Sequence, residues 1–237
     1  MKRSLFVELM AAREAKRPVA LITDLNSGAQ LLLDREPIGD LKVTPEILTQ
    51  ARESLLQDRS GMLGEGPLFV QAFNPPLRMF VVGAVHISQA LVPMARLAGF
   101  EVIVIDPRRA WATEARFPDV TIETDWPDEV MQRLKLDHRS AVIALTHDPK
   151  IDDPALSEAL KAPVIYIGAL GSKKTHAKRL ERLAEHGFGP SDFTRIHGPI
   201  GLDIGAKSPA EIAIAILAEV TQVRRRPSGP VNAEAAA

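Results

Sequence analysis

Residues 78–111 read RMFVVGAVHISQALVPMARLAGFEVIVIDPRRAW. Two apolar runs, at 78–82 and 101–105, bracket a stretch whose apolar residues recur at helical spacing. A continuous apolar run without polar alternation marks a strand buried on both faces, as in a parallel sheet. Strand, turn, helix and strand of this length make one βαβ unit. Gly83 sits at the strand-to-helix turn, and Asp106 ends the second strand about twenty residues on, where a Rossmann acid meets a ribose hydroxyl. Pro93 lies inside the intervening helical pattern and predicts a kink or a late helix start.

The same grammar continues downstream. AVIALTH (141–147) and PVIYIG (163–168) are further apolar strands with helical stretches between them. Right-handed crossovers put helices on both sides of such a sheet. The last helix opens at Ser208-Pro209-Ala210-Glu211, a capping box, and places Ile212, Ile216 and Val220 on one buried face. Residues 76–223 are therefore expected to form a Rossmann-like, doubly wound α/β domain. After Val223 the tail RRRPSGPVNAEAAA (224–237) has no apolar period and is expected to be disordered.

Upstream, Asn74-Pro75-Pro76 is too stiff to continue a central strand and marks a domain boundary. Residues 1–75 read as a small α+β domain. An amphipathic helix spans 4–16 with Leu5, Leu9 and Ala12 on one side. VALITDLNSGAQLLLD (19–34) is a hairpin turning at Asn26-Ser27-Gly28. Thr44 caps a helix begun by Pro45 and running to about Asp58. A loop with Gly61, Gly64 and Gly66 leads to the strand LFVQAF (68–73).

Bulk properties exclude several function classes. The 237 residues are 46% hydrophobic and 25% charged, with a net charge of −1. Sequence-independent nucleic-acid binding needs a positive field and is not expected. No apolar stretch approaches the ~20 residues that span a bilayer, and Glu8, Arg13 and Glu14 interrupt the N-terminal apolar run too early for a secretory signal. A cytoplasmic protein is expected. With no cysteine, disulfides, thiolate metal sites, cysteine nucleophiles and persulfide relays are all excluded.

Four stretches carry candidate chemistry. The first holds Gly83, Val85 and His86, with Asp106 and Arg108 after the next strand. Val85 stands where a second glycine would let a pyrophosphate approach, so an ordinary β–α turn remains open. In the second, Gly168, Gly171, Ser172, Lys173, Lys174 and His176 link a strand to a helix. Free N–H groups and cations converge there, as in a phosphate cradle. Cations at a helix N-terminus oppose its dipole, and an anionic ligand supplies the reason for them. In the third, His147 and Asp148 stand at a strand's carboxyl end with Asp152 and Asp153. A hard-metal site, a proton relay, or Asp153 capping a helix that Pro154 begins are all open. The fourth is the glycine loop around Gly201 and Asp203, for which packing against the last helix is the alternative.

These stretches resemble the XdhC/CoxI family, accessory proteins of molybdenum hydroxylases such as xanthine and carbon monoxide dehydrogenase. The resemblance rests on GAVHIS (83–88), IDPRRAW (105–111), LTHDPKIDDPAL (145–156), YIGALGSKKTHAKRL (166–180) and PIGLDIGAKSPAEIA (199–213). It implies a Rossmann-like C-terminal domain, a smaller N-terminal domain, and a part in binding the molybdenum cofactor, assisting its sulfuration and inserting it into the apo-hydroxylase. Turnover is not required. The chain differs from the family pattern at Val85, in its short N-terminal half and in lacking cysteine, which makes it a divergent member. On this resemblance the 168–176 turn takes the terminal phosphate of molybdopterin, and His86, Asp106 and Arg108 meet the pterin or a nucleotide extension. The partners implied are the apo-hydroxylase and a cysteine desulfurase or other sulfurtransferase, with a homodimer as a further expectation. Two other readings stand beside it. An NAD(P)-dependent oxidoreductase would use Asp106 for NAD, or Arg108 and Arg109 for a 2′-phosphate. A pure interaction scaffold would have lost its ligand.

Overall fold

The computed structural model describes residues 2–225. It divides into two compact units, residues up to Pro75 and residues from Pro76 onward.

The first unit pairs five antiparallel strands with two helices. Helix α1 (Arg3–Glu14) precedes strands β1 (Val19–Asp24), β2 (Gln30–Leu33) and β3 (Pro37–Gly39). Helix α2 (Pro45–Leu56) precedes β4 (Gly61–Leu63) and β5 (Leu68–Phe73). The strand order is β3-β2-β1-β5-β4. Both faces are covered. Val19, Leu21 and Leu32 pack with Leu5, Leu9 and Ala12 of α1, whereas Ala20, Ile22, Leu31 and Leu33 pack with Ala51 of α2. The stretch from Gly61, expected to be a loop, begins with a strand. Three residues are too few for alternation to show in a sequence.

The second unit carries strands β6 (Leu77–Val82), β7 (Phe100–Ile105), β8 (Thr121–Glu123), β9 (Ser140–Ala144), β10 (Tyr166–Ala169) and β11 (Ile196–His197). Its helices are α3 (His86–Leu97), α4 (Pro127–Leu134), α5 (Pro149–Lys161), α6 (Lys173–Glu185), α7 (Pro190–Phe193) and α8 (Pro209–Arg225). All strand pairs are parallel, in the order β11-β10-β9-β6-β7-β8. This is the doubly wound Rossmann arrangement. Successive residues of one strand feed opposite cores. Met79 and Val81 pack with Leu91 and Ala95 of α3 and with Ala213 and Ile216 of α8. Phe80 and Val82 pack with Val130 of α4, Leu156 of α5 and Leu183 of α6. Double burial is why these strands read as unbroken apolar runs.

Three local expectations change. Helix α3 starts at His86 and continues through Pro93, so the proline delays nothing. Helix α5 begins at Pro149, five residues earlier than Pro154. Asp148 is its N-cap, accepting from the Lys150 N–H at 3.0 Å, and Asp153 lies inside the helix. The last helix extends through Arg225, two residues past the expected end. The rest of the expected tail lies outside the described residues.

Candidate functional site

The strand order reverses between β6 and β9, and ligands of open α/β sheets bind at the carboxyl edge of such a switch. Register makes that edge level. Val82 pairs with Ile105 on one side and Ala144 on the other, and Ala144 pairs with Ala169. The turns that follow β6, β7, β9 and β10 therefore share one rim.

At the β6–α3 turn Gly83 has φ +111°, and a Cβ there would lie 2.7 Å from Thr146 Cγ2. The two turns of the switch touch, which leaves room for glycine alone. Val85 is the N-cap of α3. His86 follows, exposed. Asp106 is fully buried and its carboxylate is already engaged. It accepts from the Ala84 N–H at 2.7 Å, from the Arg108 N–H at 3.0 Å, and from Arg108 Nε and Nη2 at 2.9 and 2.7 Å. Burial acts to raise this carboxyl. The Arg108 and Ala84 hydrogen bonds outweigh it and hold the group below the usual carboxylate range. In place of the expected open ribose acceptor, Asp106 and Arg108 form a clamp that fixes the β6–α3 turn.

The β10–α6 turn carries the N-capped helix start and nearby cations that suit an anion. Ser172 is the N-cap and accepts from the Thr175 N–H at 3.1 Å. Gly171 has φ +144°, a conformation that L side chains rarely adopt. Beside this turn lies a cavity of about 230 Å3 lined by His147, Asp152, Lys174, Lys178, Arg179 and Arg182. Arg182 is paired with Asp153, at 2.5 and 3.0 Å. Arg179 is different. Its side chain is 2% exposed and 3.8 Å from Asp152, and Nη2 donates to the Leu170 carbonyl at 2.8 Å. Its Nε and Nη1 are buried without a hydrogen-bond partner. Burial lowers the Arg179 guanidinium and raises the Asp152 carboxyl, so neither fully compensates the other. Asp152 is instead held by Thr146 Oγ1 at 2.6 Å and by the His147 N–H at 3.0 Å. That grip supports His147 in a left-handed backbone, φ +64°.

Of the residues singled out in the sequence, this cavity gathers His147, Asp152 and Lys174, next to the cap formed by Gly171 and Ser172. Lys173 is exposed at the first position of α6. His176 turns aside, its ring filling the space a Cβ on Gly198 would need. Burial, then the nearby Arg179, lowers its imidazole. Gly168 lies within β10, where Ile200 Cδ1 and Tyr166 Cε1 occupy the place of a Cβ. It serves packing. Gly201 packs on Ala215 of α8, and its N–H donates to Glu219 at 2.8 Å. Asp203 is exposed. Among the described residues no group of three or more His, Asp and Glu side chains is arranged to hold a metal.

Lys178 and Arg179 fall inside the 166–180 stretch and Arg182 just beyond it, yet the sequence reading assigned none of them a role in binding. Their signal is helical phase: Arg179 follows Thr175 by four residues and Arg182 by seven, which puts them on the face of the first turn.

A profile of the XdhC Rossmann domain matches residues 79–220. Over 160 residues the chain is 33% identical to a probable xanthine dehydrogenase subunit of Bacillus subtilis, covering 67% of this chain and 46% of that protein. Over 197 residues it is 32% identical to the molybdenum cofactor insertion chaperone PaoD of Escherichia coli, covering 81% and 53%. The chain thus spans about half the length of the curated relatives it matches. A crystal structure described as a xanthine dehydrogenase from Bacillus halodurans superposes with a TM-score of 0.70 at 25% identity, covering 97% of this chain and 68% of that one.

Proposed function

Because the chain belongs to the XdhC Rossmann-domain family, we propose that it is a maturation factor for a molybdenum hydroxylase, one that binds the molybdenum cofactor through its phosphate and passes it to the apo-enzyme. The observation that carries this reading is the buried Arg179, which lines a cationic cavity and whose Nε and Nη1 lack hydrogen-bond partners. A buried donor without an acceptor costs about 1–3 kcal/mol. An anionic oxygen removes that cost. Phosphate oxygens also suit the Ser172-capped helix start and Lys174. The cavity, about 230 Å3, is smaller than the roughly 300–1,000 Å3 of sites that enclose a whole small ligand. It suits the charged end of the cofactor and leaves the ring system along the rim.

When bound, the cofactor supplies the molybdenum and dithiolene chemistry that the hydroxylase uses. The chain's own residues hold and orient the phosphate. Arg179 and Lys174 meet its charge, Asp152 fixes the turn that carries His147, and the Asp106–Arg108 clamp keeps the β6–α3 turn rigid. With no cysteine, this chain carries no persulfide, so sulfuration requires a desulfurase or other sulfurtransferase. No helix among the described residues is long and apolar enough to cross a membrane, and we place the handover in the cytoplasm. An NAD(P)-dependent oxidoreductase is not favoured: Asp106 is engaged by Arg108, and one relative is named as a molybdenum cofactor insertion chaperone.

Deletion of the gene tests the proposal. The hydroxylase polypeptide accumulates at its normal level but is inactive, with its cofactor absent or desulfurated. Normal activity of every molybdenum hydroxylase in a deletion strain without a paralogue refutes it.

A further inference from the structure

The loop that follows β7 leaves a large aromatic ring outside. Trp111 is 43% exposed, while Ala112 and Phe117 beside it are 8% and 1% exposed. The loop is anchored, so the ring is presented outward from a fixed base. Its backbone N–H donates to the Arg108 carbonyl at 2.8 Å. Two guanidinium groups lie over the ring, Arg108 at 5.2 Å and Arg116 at 5.6 Å from its centroid. Both are tied to the switch-point turn. Arg108 is locked on Asp106, which also holds the Ala84 N–H. Arg116 Nη1 bridges the Trp111 carbonyl at 2.7 Å and the Ala84 carbonyl at 2.8 Å. Trp111 thus stands one guanidinium away from the carboxyl end of β6.

We propose that Trp111 is a stacking platform for the planar heterocycle of a ligand whose phosphate occupies the Arg179 cavity. This rests on the phosphate site described above. Distance supports the pairing. The cavity lies at the ends of β9 and β10, and Trp111 follows β7. Three strand spacings of roughly 4.8 Å put β10 and β7 about 14 Å apart, so the cavity and Trp111 belong to the same carboxyl rim. Chemistry supports it too. An indole face takes any flat π-system, and cations over the same ring favour heterocycles bearing carbonyl oxygens. A pterin and a nucleobase share these features, and the experiment separates them.

The test is calorimetry on the full chain with ribose 5-phosphate, GMP and 6-hydroxymethylpterin phosphate. Trp111→Leu is expected to weaken at least one ring-bearing ligand about tenfold, or about 1.4 kcal/mol, and to leave ribose 5-phosphate unchanged. Trp111→Phe retains most of the affinity. In the Trp126→Phe protein Trp111 is the remaining tryptophan, and its fluorescence is quenched by whichever of GMP and the pterin phosphate stacks, not by ribose 5-phosphate. Loss confined to GMP identifies a nucleotide ring, and loss confined to the pterin phosphate a pterin. Ring-bearing ligands that bind equally well in Trp111→Leu overturn the platform and leave the phosphate site standing. Failure of all three to bind the wild type overturns both.

Discussion

Replacing Arg179 by Met separates a binding arginine from a structural one. Breaking a buried ion pair that holds a fold together costs about 3–5 kcal/mol. Arg179 and Asp152 are 3.8 Å apart, and the carboxylate keeps its hydrogen bonds from Thr146 and His147 after the change. The substitution removes two buried donors without acceptors, each costing about 1–3 kcal/mol. It also strands the Leu170 carbonyl, a loss of similar size. The gain of about 2–6 kcal/mol outweighs the loss of about 1–3, so the ligand-free variant is expected to be at least as stable in urea as the wild type. Binding behaves differently. Two charge-assisted hydrogen bonds to phosphate, at about 1.5–3 kcal/mol each, amount to at least a hundredfold in affinity. Ligand at a hundred times its Kd stabilises the wild type by about 2.7 kcal/mol, and this gain disappears in Arg179→Met. Urea titrations with and without ribose 5-phosphate measure both quantities. A loss of 3–5 kcal/mol in the ligand-free protein, with phosphate affinity intact, refutes the assignment.

Two further outcomes follow from the fold. Gly83→Ala combines a positive φ with a Cβ 2.7 Å from Thr146 Cγ2, so it should lower the stability by about 2–4 kcal/mol in chemical denaturation, from backbone strain and overpacking together. An unchanged midpoint shows that the two switch-point turns are free to separate. Glu219 accepts from Tyr166 Oη, contacts His197 Nδ1 at 3.1 Å and accepts from the Gly201 N–H. Burial acts to raise its carboxyl, but His197, Tyr166 and Gly201 prevail and lower it below the ordinary 4.5. A lowered folded-state value stabilises above the ordinary one and is lost as pH falls through the folded one. The stability gap between wild type and Glu219→Gln should therefore be full near neutrality and begin to close as pH falls below the ordinary 4.5. A gap that widens on acidification contradicts this.

The parallel sheet was legible because double burial writes long apolar runs, and those runs fall on β6, β7, β9 and β10. Strands of two or three residues, β4, β8 and β11, leave no such trace. The glycines were legible as glycines but not by role. Gly171 stands at the anion turn, whereas Gly168 and Gly201 make room for Ile200 and for α8, contacts that sequence proximity does not reveal. Asp106 occupies the expected strand end, yet its partner Arg108, two residues on, takes both carboxylate oxygens. A fingerprint gives position and is silent about such competition. Asp148 takes the capping part expected of Asp153, since Pro149 and Pro154 are equally acceptable helix starters by sequence. Arg179 is the converse case, a residue inside the 166–180 stretch whose weight comes from burial, which the sequence does not show.

The parallel sheet ends in strands of three residues at β8 and two at β11. A protein that docks by adding a strand needs a long row of free amide and carbonyl groups along a sheet edge. Edges this brief supply few rungs. On the proposed function, an apo-hydroxylase would then draw its cargo across the loops at the carboxyl rim and not along a strand edge. Recognition and release would share one surface, and docking itself would compete with the loops for what they hold.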